Sequence, residues 1–426
     1  LEVWGVFDDT DAYQEVFSKY QEINPFIRQI TYRKLSPETY KEDLLSAMAS
    51  GKGPDIFMMG NTWLDGFKDK IVPAPETLAS EKEVRDGLVD VVAEDFIPED
   101  KKVYALPLSV DSLGLYYNRD LLNAAGISAP PTTWEELNAM IPRLTHLDQF
   151  GNLRQSAIAL GTAYNVNRST DILLSLAYQR GATFDANSGF NDLHMVQAFG
   201  DYTQYALSGS SLYTWNPRQH FSIDAFYEGT AAMMVNYSWH YQTIKQKNAK
   251  FNFSVSPLPQ FAGSKPVNFA NYWAFAVAKN KSLPEVRPGE LPTVPSAKYQ
   301  EIRANESWQL LRYLALPHSE KAITIRNFLA GTSRNFAVPS DPALAYLTKT
   351  GKPAARRDLI DTEKGDVKLA PFALGNLIAR SWKPGNPEAV ETILAEGIDS
   401  VNKGERGASE ALSVIQNRFI QFRSQR

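Results

Sequence analysis

The first sixty residues alternate between short apolar runs and amphipathic segments, and this alternation restricts the fold more than any other feature of the chain. Leu1 to Phe7 (LEVWGVF) reads as a strand that runs into Asp8-Asp9-Thr10-Asp11. Tyr13, Val16, Phe17 and Tyr20 then recur at helical spacing, and Asp11 with Gln14 predicts a capping box at that helix's start. Asn24-Pro25 stops the helix, and Ile27 to Tyr32 alternates as a strand does. Ser36-Pro37-Glu38 supplies a predicted N-cap, a proline at the first helical position and an acid in the first turn. Leu44, Leu45, Ala47 and Met48 make that helix's apolar face, and Gly51 ends it. Pro54 to Met59 (PDIFMM) is almost continuously apolar, as expected of a strand covered on both faces. The β-α-β-α-β order predicts a largely parallel sheet wrapped by helices.

The same grammar returns later. Ala231 to Val235 (AAMMV) reads as a buried strand ending at Asn236-Tyr237-Ser238-Trp239, Phe251 to Val255 as another, and Asn271 to Val277 as a third. Four prolines among charges between 281 and 300 predict a surface excursion. Trp308, Leu311 and Leu314 predict the start of a helix, Arg334 to Pro339 an extended segment, and Pro387 onward two helical stretches. At 426 residues the chain exceeds what one hydrophobic core usually serves, so two lobes are expected. No internal repeat interrupts the pattern.

Charge and composition remove several function classes. Net charge is −4 with Lys and Arg dispersed, which argues against a nucleic-acid partner, whose grip rests on concentrated positive charge. No apolar run approaches the roughly 18 residues of a spanning helix. The chain has no cysteine, so it makes no disulfide, thiolate nucleophile or Cys-ligated zinc. It contains no G-x-x-x-x-G-K-[ST], G-x-G-x-x-G, H-E-x-x-H or G-x-S-x-G. His146, His194, His220, His240 and His318 lack metal-ligand spacing and read as surface or core residues. Asp148-Gln149-Phe150-Gly151-Asn152 lacks the alternating acids of an EF-hand and predicts a hairpin turn. No cofactor is expected. Aromatic content is high, with 8 Trp and 19 Tyr, and such rings serve cores or form flat faces on which sugars stack.

In open α/β sheets, ligands bind beyond the carboxyl ends of the strands. That rule selects Phe7 to Thr10, Gly60 to Trp63, Ser109 to Ser112 and Asn236 to Trp239. Their Asp, Asn, Ser and Trp residues suit a polyhydroxylated ligand: carboxylates and amides bond vicinal hydroxyls while Trp covers the C–H face. Structural readings stand beside these. Asp8 also suits the following helix N-terminus, Asp111 could pair internally, and Trp273 could be core. Trp4 and Trp134 read as packing.

The stretch Tyr104 to Leu137, YALPLSVDSLGLYYNRDLLNAAGISAPPTTWEEL, is read as two strands around a polar interruption, followed by a helix, a Pro-rich connection and a second helix start. A charge at Asp111 between apolar runs is costly unless paired. The order of residue types resembles the hinge-crossing segment of extracellular solute-binding proteins of ABC importers, in the carbohydrate-binding group that includes maltose-binding protein. SGKGPDIFMMGNTWL, FYEGTAAMMVNYSW, the strand around Trp273 and GERGASEALSVIQNRF follow in the order of that family, so the resemblance covers almost the whole chain.

The resemblance implies a two-lobed periplasmic-binding-protein-like α/β fold, each lobe a mostly parallel sheet flanked by helices, with a ligand cleft between lobes and a hinge crossed several times. The expected lobes are 1–115 plus 271–330 and 116–270 plus 331–426. It implies a non-enzymatic, monomeric protein that binds a sugar by hinge closure and delivers it to a membrane permease. It also implies a periplasmic or extracellular location, with any leader or lipid-bearing residue lost before Leu1. Asp8, Asn61, Trp63, Asp111, Ser112 and Asn236 are the implied polar and aromatic contacts, with Trp239 the stacking ring. Tyr164, Trp215, Trp273, Arg334 and Trp382 complete the candidate set. Three alternatives remain open: a polyol phosphate, which would need clustered Arg or Lys; a polyamine, which would suit Asp8 and Asp111; and a glycoside hydrolase using two carboxylates.

Overall fold

The computed structural model describes every residue except 185–189, 191–192, 283–295, 319–320, 329 and 425–426. The chain forms two compact units, residues 1–110 with 271–362 and residues 111–270 with 363–426. The segment 331–362, assigned from sequence to the second lobe, packs instead with the first unit. There Tyr346 and Lys352 bond Asp8. Most of the anticipated proline-rich excursion lies outside the described residues.

The first unit is built on a four-stranded sheet ordered Trp273–Val277, Ile56–Gly60, Glu2–Gly5, Thr31–Lys34. Glu2–Gly5 runs parallel to both of its neighbours, while Trp273–Val277 is antiparallel to Ile56–Gly60. Every residue of Ile56–Gly60 is buried, which accounts for its unbroken apolar sequence. Helix Asp11–Ile23 buries Ala12, Tyr13, Val16, Phe17 and Tyr20, the stripe expected from its periodicity. Two caps differ from expectation. Thr10 precedes the first helix in αR geometry without a side-chain cap, and Asp11 sits inside the first turn, paired with Lys349 at 2.9 Å. The second helix begins at Tyr40 after an uncapped Thr39, with Ser36 bonded to Glu38 ahead of it. Trp308, Leu311 and Leu314 belong to the last turns of helix Ser296–Ala315, not to its start. Arg334 lies in strand Thr332–Ala337, which pairs with Ala322–Asn327 as a separate hairpin.

The second unit holds a five-stranded sheet ordered His146–Leu147, Leu153–Ala159, Ala231–Asn236, Gly114–Asn118, Phe253–Pro257. Only Leu153–Ala159 and Ala231–Asn236 are parallel; the other three pairings are antiparallel, against the mostly parallel sheet expected. Gly114–Asn118 lies next to the edge strand Phe253–Pro257 and runs against both neighbours. Helix Trp134–Leu144 starts from a full capping box, Thr133 with Glu136. Helix Ser169–Arg180 buries ten of its twelve residues, Asp171 and Gln179 among them, and ends where Gly181 adopts φ 100°. The anticipated hairpin turn is present: Asp148 accepts the backbone N–H groups of Phe150 and Asn152 at 2.9 Å each, with Gly151 at φ 77°. Among the described residues no helix is long and apolar enough to cross a membrane.

Candidate functional site

Each unit gathers part of the candidate set at one edge of its own sheet. In the first unit, the ends of Glu2–Gly5 and Ile56–Gly60 meet the beginning of antiparallel Trp273–Val277, with Trp273 paired to Gly60. The register therefore places Trp273 beside the Gly60–Trp63 loop. Trp63 and Trp273 meet edge to face at 4.9 Å, Phe7 packs edge to face on Trp273 at 5.3 Å, and Tyr40 lies 6.0 Å from Trp273. Lys41 Nζ stands 5.0 Å over the Trp63 ring. Phe7 is 50% exposed, so this aromatic group keeps an open face.

The polar residues of that edge are engaged internally. Buried Asp8 accepts hydrogen bonds from Tyr13 Oη at 2.7 Å and Tyr346 Oη at 2.8 Å, and an ion pair from Lys352 Nζ at 2.5 Å. Burial alone would raise its pKa; the Lys352 charge and the three bonds overcome this and hold the carboxyl below the usual range. Burial pushes Tyr346 up to about 12, so it remains a donor. Asn61 is buried, its Nδ2 donating to Asp95 Oδ2 at 3.2 Å and its backbone N–H to Tyr272 at 3.0 Å. Asp95 also accepts from Tyr272 Oη at 2.8 Å.

In the second unit, Gly114 pairs with Asn236, so antiparallel geometry brings Asp111 and Ser112, which precede its strand, to the end of Ala231–Asn236. The strand-end rule selected that loop, but its chain direction is reversed. Asp111 accepts from Ser112 N at 2.9 Å, Ser238 N at 3.0 Å and Ser238 Oγ at 2.5 Å, which ties it to the turn entering helix His240–Lys247. Fully buried Ser112 donates to the Phe372 carbonyl at 3.1 Å. Trp239 is 43% exposed and stacks on buried Tyr237 at 4.5 Å with the planes 17° apart. Tyr237 Oη donates to Asp171, which Arg168 grips through two nitrogens at 2.8 and 2.9 Å. Burial raises Glu391, 3.6 Å from Arg168, and drives His240 down to about 4 with help from the Arg168 charge. Asn236 Oδ1 accepts from Tyr237 N and from Asn167 Nδ2, both at 3.0 Å.

Four candidates lie away from these edges. Trp215 is 0% exposed, its indole nitrogen directed at Asn165 Oδ1 at 3.3 Å, so its ring offers no open face. Trp382 is packed among Phe184, Phe190 and Phe419. Arg334 is exposed on its hairpin. Tyr164, 63% exposed, shares a loop with Asn167 and Arg168 but stacks on no ring of the set. Trp4 and Trp134 are buried, donating to Glu2 and Gln179. Sequence reading passed over Phe7, Tyr40, Tyr237, Asn167, Arg168 and His240. Phe7, Tyr237 and His240 lie in or next to loops the strand-end rule had chosen, which was the available signal. Nothing local distinguishes Asn167 or Arg168, whose left-handed φ of 57° is visible only in the fold. Among the described residues no group of three or more His, Asp or Glu side chains could hold a metal ion.

The family model described as bacterial extracellular solute-binding protein matches residues 6–297. A binding protein of Brucella abortus is 26% identical over 127 residues, 30% of each chain. The maltodextrin-binding protein MdxE of Bacillus subtilis is 25% identical over 280 residues, 61% of this chain and 58% of that one. The matches thus span less than two thirds of these curated relatives. Among solved structures, the sugar-binding protein MalE from Xanthomonas citri superposes with a TM-score of 0.75 at 18% identity, covering 100% of this chain and 97% of that one. A cyclo/maltodextrin-binding protein complexed with maltotetraose gives 0.74 at 16% identity, covering 99% and 96%. At such identities the likeness concerns the fold.

Proposed function

The chain belongs to the bacterial extracellular solute-binding proteins, matched over residues 6–297, and from that premise we propose that it binds a neutral sugar or oligosaccharide for an ABC importer. Trp239 carries this reading. A large ring held flat against Tyr237, open to solvent and directly past a strand end, is a platform for the C–H face of a pyranose. Phe7, Trp63 and Trp273 supply a second aromatic group.

The carboxylates favour a neutral ligand. A polyamine would need Asp8 or Asp111 as counter-charge, but Asp8 is paired with Lys352 and Asp111 accepts from Ser112 and Ser238. A phosphorylated ligand would need basic groups, and Arg168 is engaged by Asp171. The maltodextrin-binding relative and the maltotetraose-bound neighbour support an α-glucan oligosaccharide as the first ligand to test.

The protein acts by binding, with hinge closure around the sugar and release to a membrane permease. It works as a monomer outside the cytoplasm, in the periplasm or at the cell surface. Micromolar affinity corresponds to about −8 kcal/mol, within reach of a few hydroxyl bonds and one or two stacked rings. Thermal-shift screening against mono- and oligosaccharides, followed by Trp fluorescence titration, tests this. A saturable, reversible signal without cleavage products is expected; turnover of the sugar, or no response across the panel, refutes it.

A further inference from the structure

Helix Ser296–Ala315 of the first unit carries at its centre a carboxyl group that the fold closes off from water and supplies with no counter-charge. Glu306 is 5% exposed, and its partners are two amides whose orientations are fixed from elsewhere. Asn24 Oδ1 accepts the backbone N–H of Phe26 at 3.0 Å, so the Asn24 NH₂ points away from that turn. It donates to Glu306 Oε2 at 2.9 Å and to Tyr20 Oη at 3.2 Å. Gln309 Oε1 accepts the backbone N–H of Arg326 at 2.7 Å, and its NH₂ serves the Arg326 carbonyl, at 3.3 Å, and Glu306. Glu306 thereby joins three elements: the end of helix Asp11–Ile23, its own helix and hairpin strand Ala322–Asn327. The charged and titratable groups around it are committed elsewhere. Arg303, one turn earlier on the same helix, pairs with Asp55 and donates to the Ala278 carbonyl. Arg326 lies over the Phe328 ring. Tyr20 packs against Tyr313 at 4.8 Å and stays protonated, because burial and the Glu306 charge push its phenol well above the ordinary value. Glu15, Glu22 and Asp341 act on Tyr313. On helix Pro342–Thr350, Tyr346 bonds Asp8 and Lys349 pairs with Asp11. Strand Trp273–Val277, which also packs on this helix, holds no titratable residue. Among the described residues no base forms an ion pair with Glu306.

We propose that Glu306 is a pH-sensitive clasp: its protonated carboxyl fastens helix Ser296–Ala315 to the end of helix Asp11–Ile23 and to the hairpin, and its ionisation loosens both contacts. An ionised carboxylate at this place gives up water without meeting a cation, a cost that two neutral amide bonds cover only in part. Burial accordingly raises the Glu306 pKa from its ordinary 4.5, against the lowering effect of the bonds from Asn24 and Gln309. A group that holds its proton more tightly in the folded state contributes stability fully below its unfolded value. That contribution is lost as pH rises through the folded value. The clasp therefore tightens in acid. The inference concerns the first unit alone and holds whatever the protein binds.

Carbon NMR of the Glu306 carboxyl in the intact protein should give a titration midpoint above 4.5; a midpoint at or below that value overturns the proposal. Glu306→Gln keeps the shape of the protonated side chain and cannot ionise. Its Tm should match that of the wild type near pH 4 and exceed it by about 2–4 °C at pH 7.5. A difference that stays constant across this range, or is largest in acid, overturns the clasp and leaves Glu306 a simple hydrogen-bond acceptor. Hydrogen exchange at the Phe26 and Arg326 amides, corrected for intrinsic rate, reads the two contacts directly. Opening should become rarer in the wild type between pH 7.5 and 5 and stay level in Glu306→Gln; the same pH dependence in both proteins overturns the proposal. Should Glu306→Gln fail to fold, the titration midpoint of the wild type decides alone.

Discussion

Trp215 and Trp239 carry the same side chain in opposite environments, one sealed in the second unit's core and the other with a face open. Trp215→Ala should cost about 3–5 kcal/mol in denaturant unfolding, as expected of a large buried ring. Trp239→Ala should leave unfolding almost unchanged and weaken sugar binding by about 1–3 kcal/mol in a fluorescence or calorimetric titration. Equal stability losses for the two would contradict the assignment. Asp8 is an anchor by its partners. Asp8→Ala should destabilise by about 2–3 kcal/mol, below the 3–5 of a fully buried pair because the Lys352 side chain stays 26% exposed. Adding Lys352→Met should restore part of that loss. His240 gives a pH test. Its folded pKa near 4 lies below the ordinary 6.5, so the unfolded chain takes up the proton first. The stability it contributes is complete above about pH 6.5 and is lost as pH falls towards 4, at most about 1.4 kcal/mol per unit. Arg168, Asp171 and Glu391 share that environment, so the measurement is the difference between wild type and His240→Phe, whose curve should be flatter there.

At the level of elements, capping separates what is readable locally from what is not. Thr133, Asp11 and Ser36 all precede apolar helical patterns, and only Thr133 caps one. Its backbone is extended at φ −125°, ψ 158°, which turns the hydroxyl towards Glu136 N, whereas Thr10 already has αR geometry and leaves Asp11 within the helix. Thr133→Ala should therefore cost about 1 kcal/mol in thermal or denaturant unfolding, while Ser36→Ala should be neutral. Strand existence was legible because buried strands show as apolar runs. Strand direction in the second sheet was not. An apolar run such as AAMMV has the same composition whichever way its neighbour runs, and only the pairing reveals that Gly114–Asn118 opposes Ala231–Asn236.

For the whole molecule, ligand linkage offers the broadest check. Maltotriose at a hundred times its Kd should raise unfolding free energy by about 2.7 kcal/mol, read as a concentration-dependent rise in Tm. A Tm indifferent to every sugar offered would count against the function. The chain's periodicities, its apolar runs and the order of its motifs determined the two-unit α/β architecture and the family, because residues close in sequence share the same helix face or strand. The candidate loops were legible for the same reason, since strand ends are local features. The tertiary structure alone decided which of their polar groups are engaged. Asp8 meets Lys352 across 344 positions and Asp111 meets Ser238 across 127, and no local pattern records such partners. A carboxylate reads the same in sequence whether it faces a ligand or a buried lysine; the fold chooses, because the desolvated charge must be matched by whatever the distant chain brings to it.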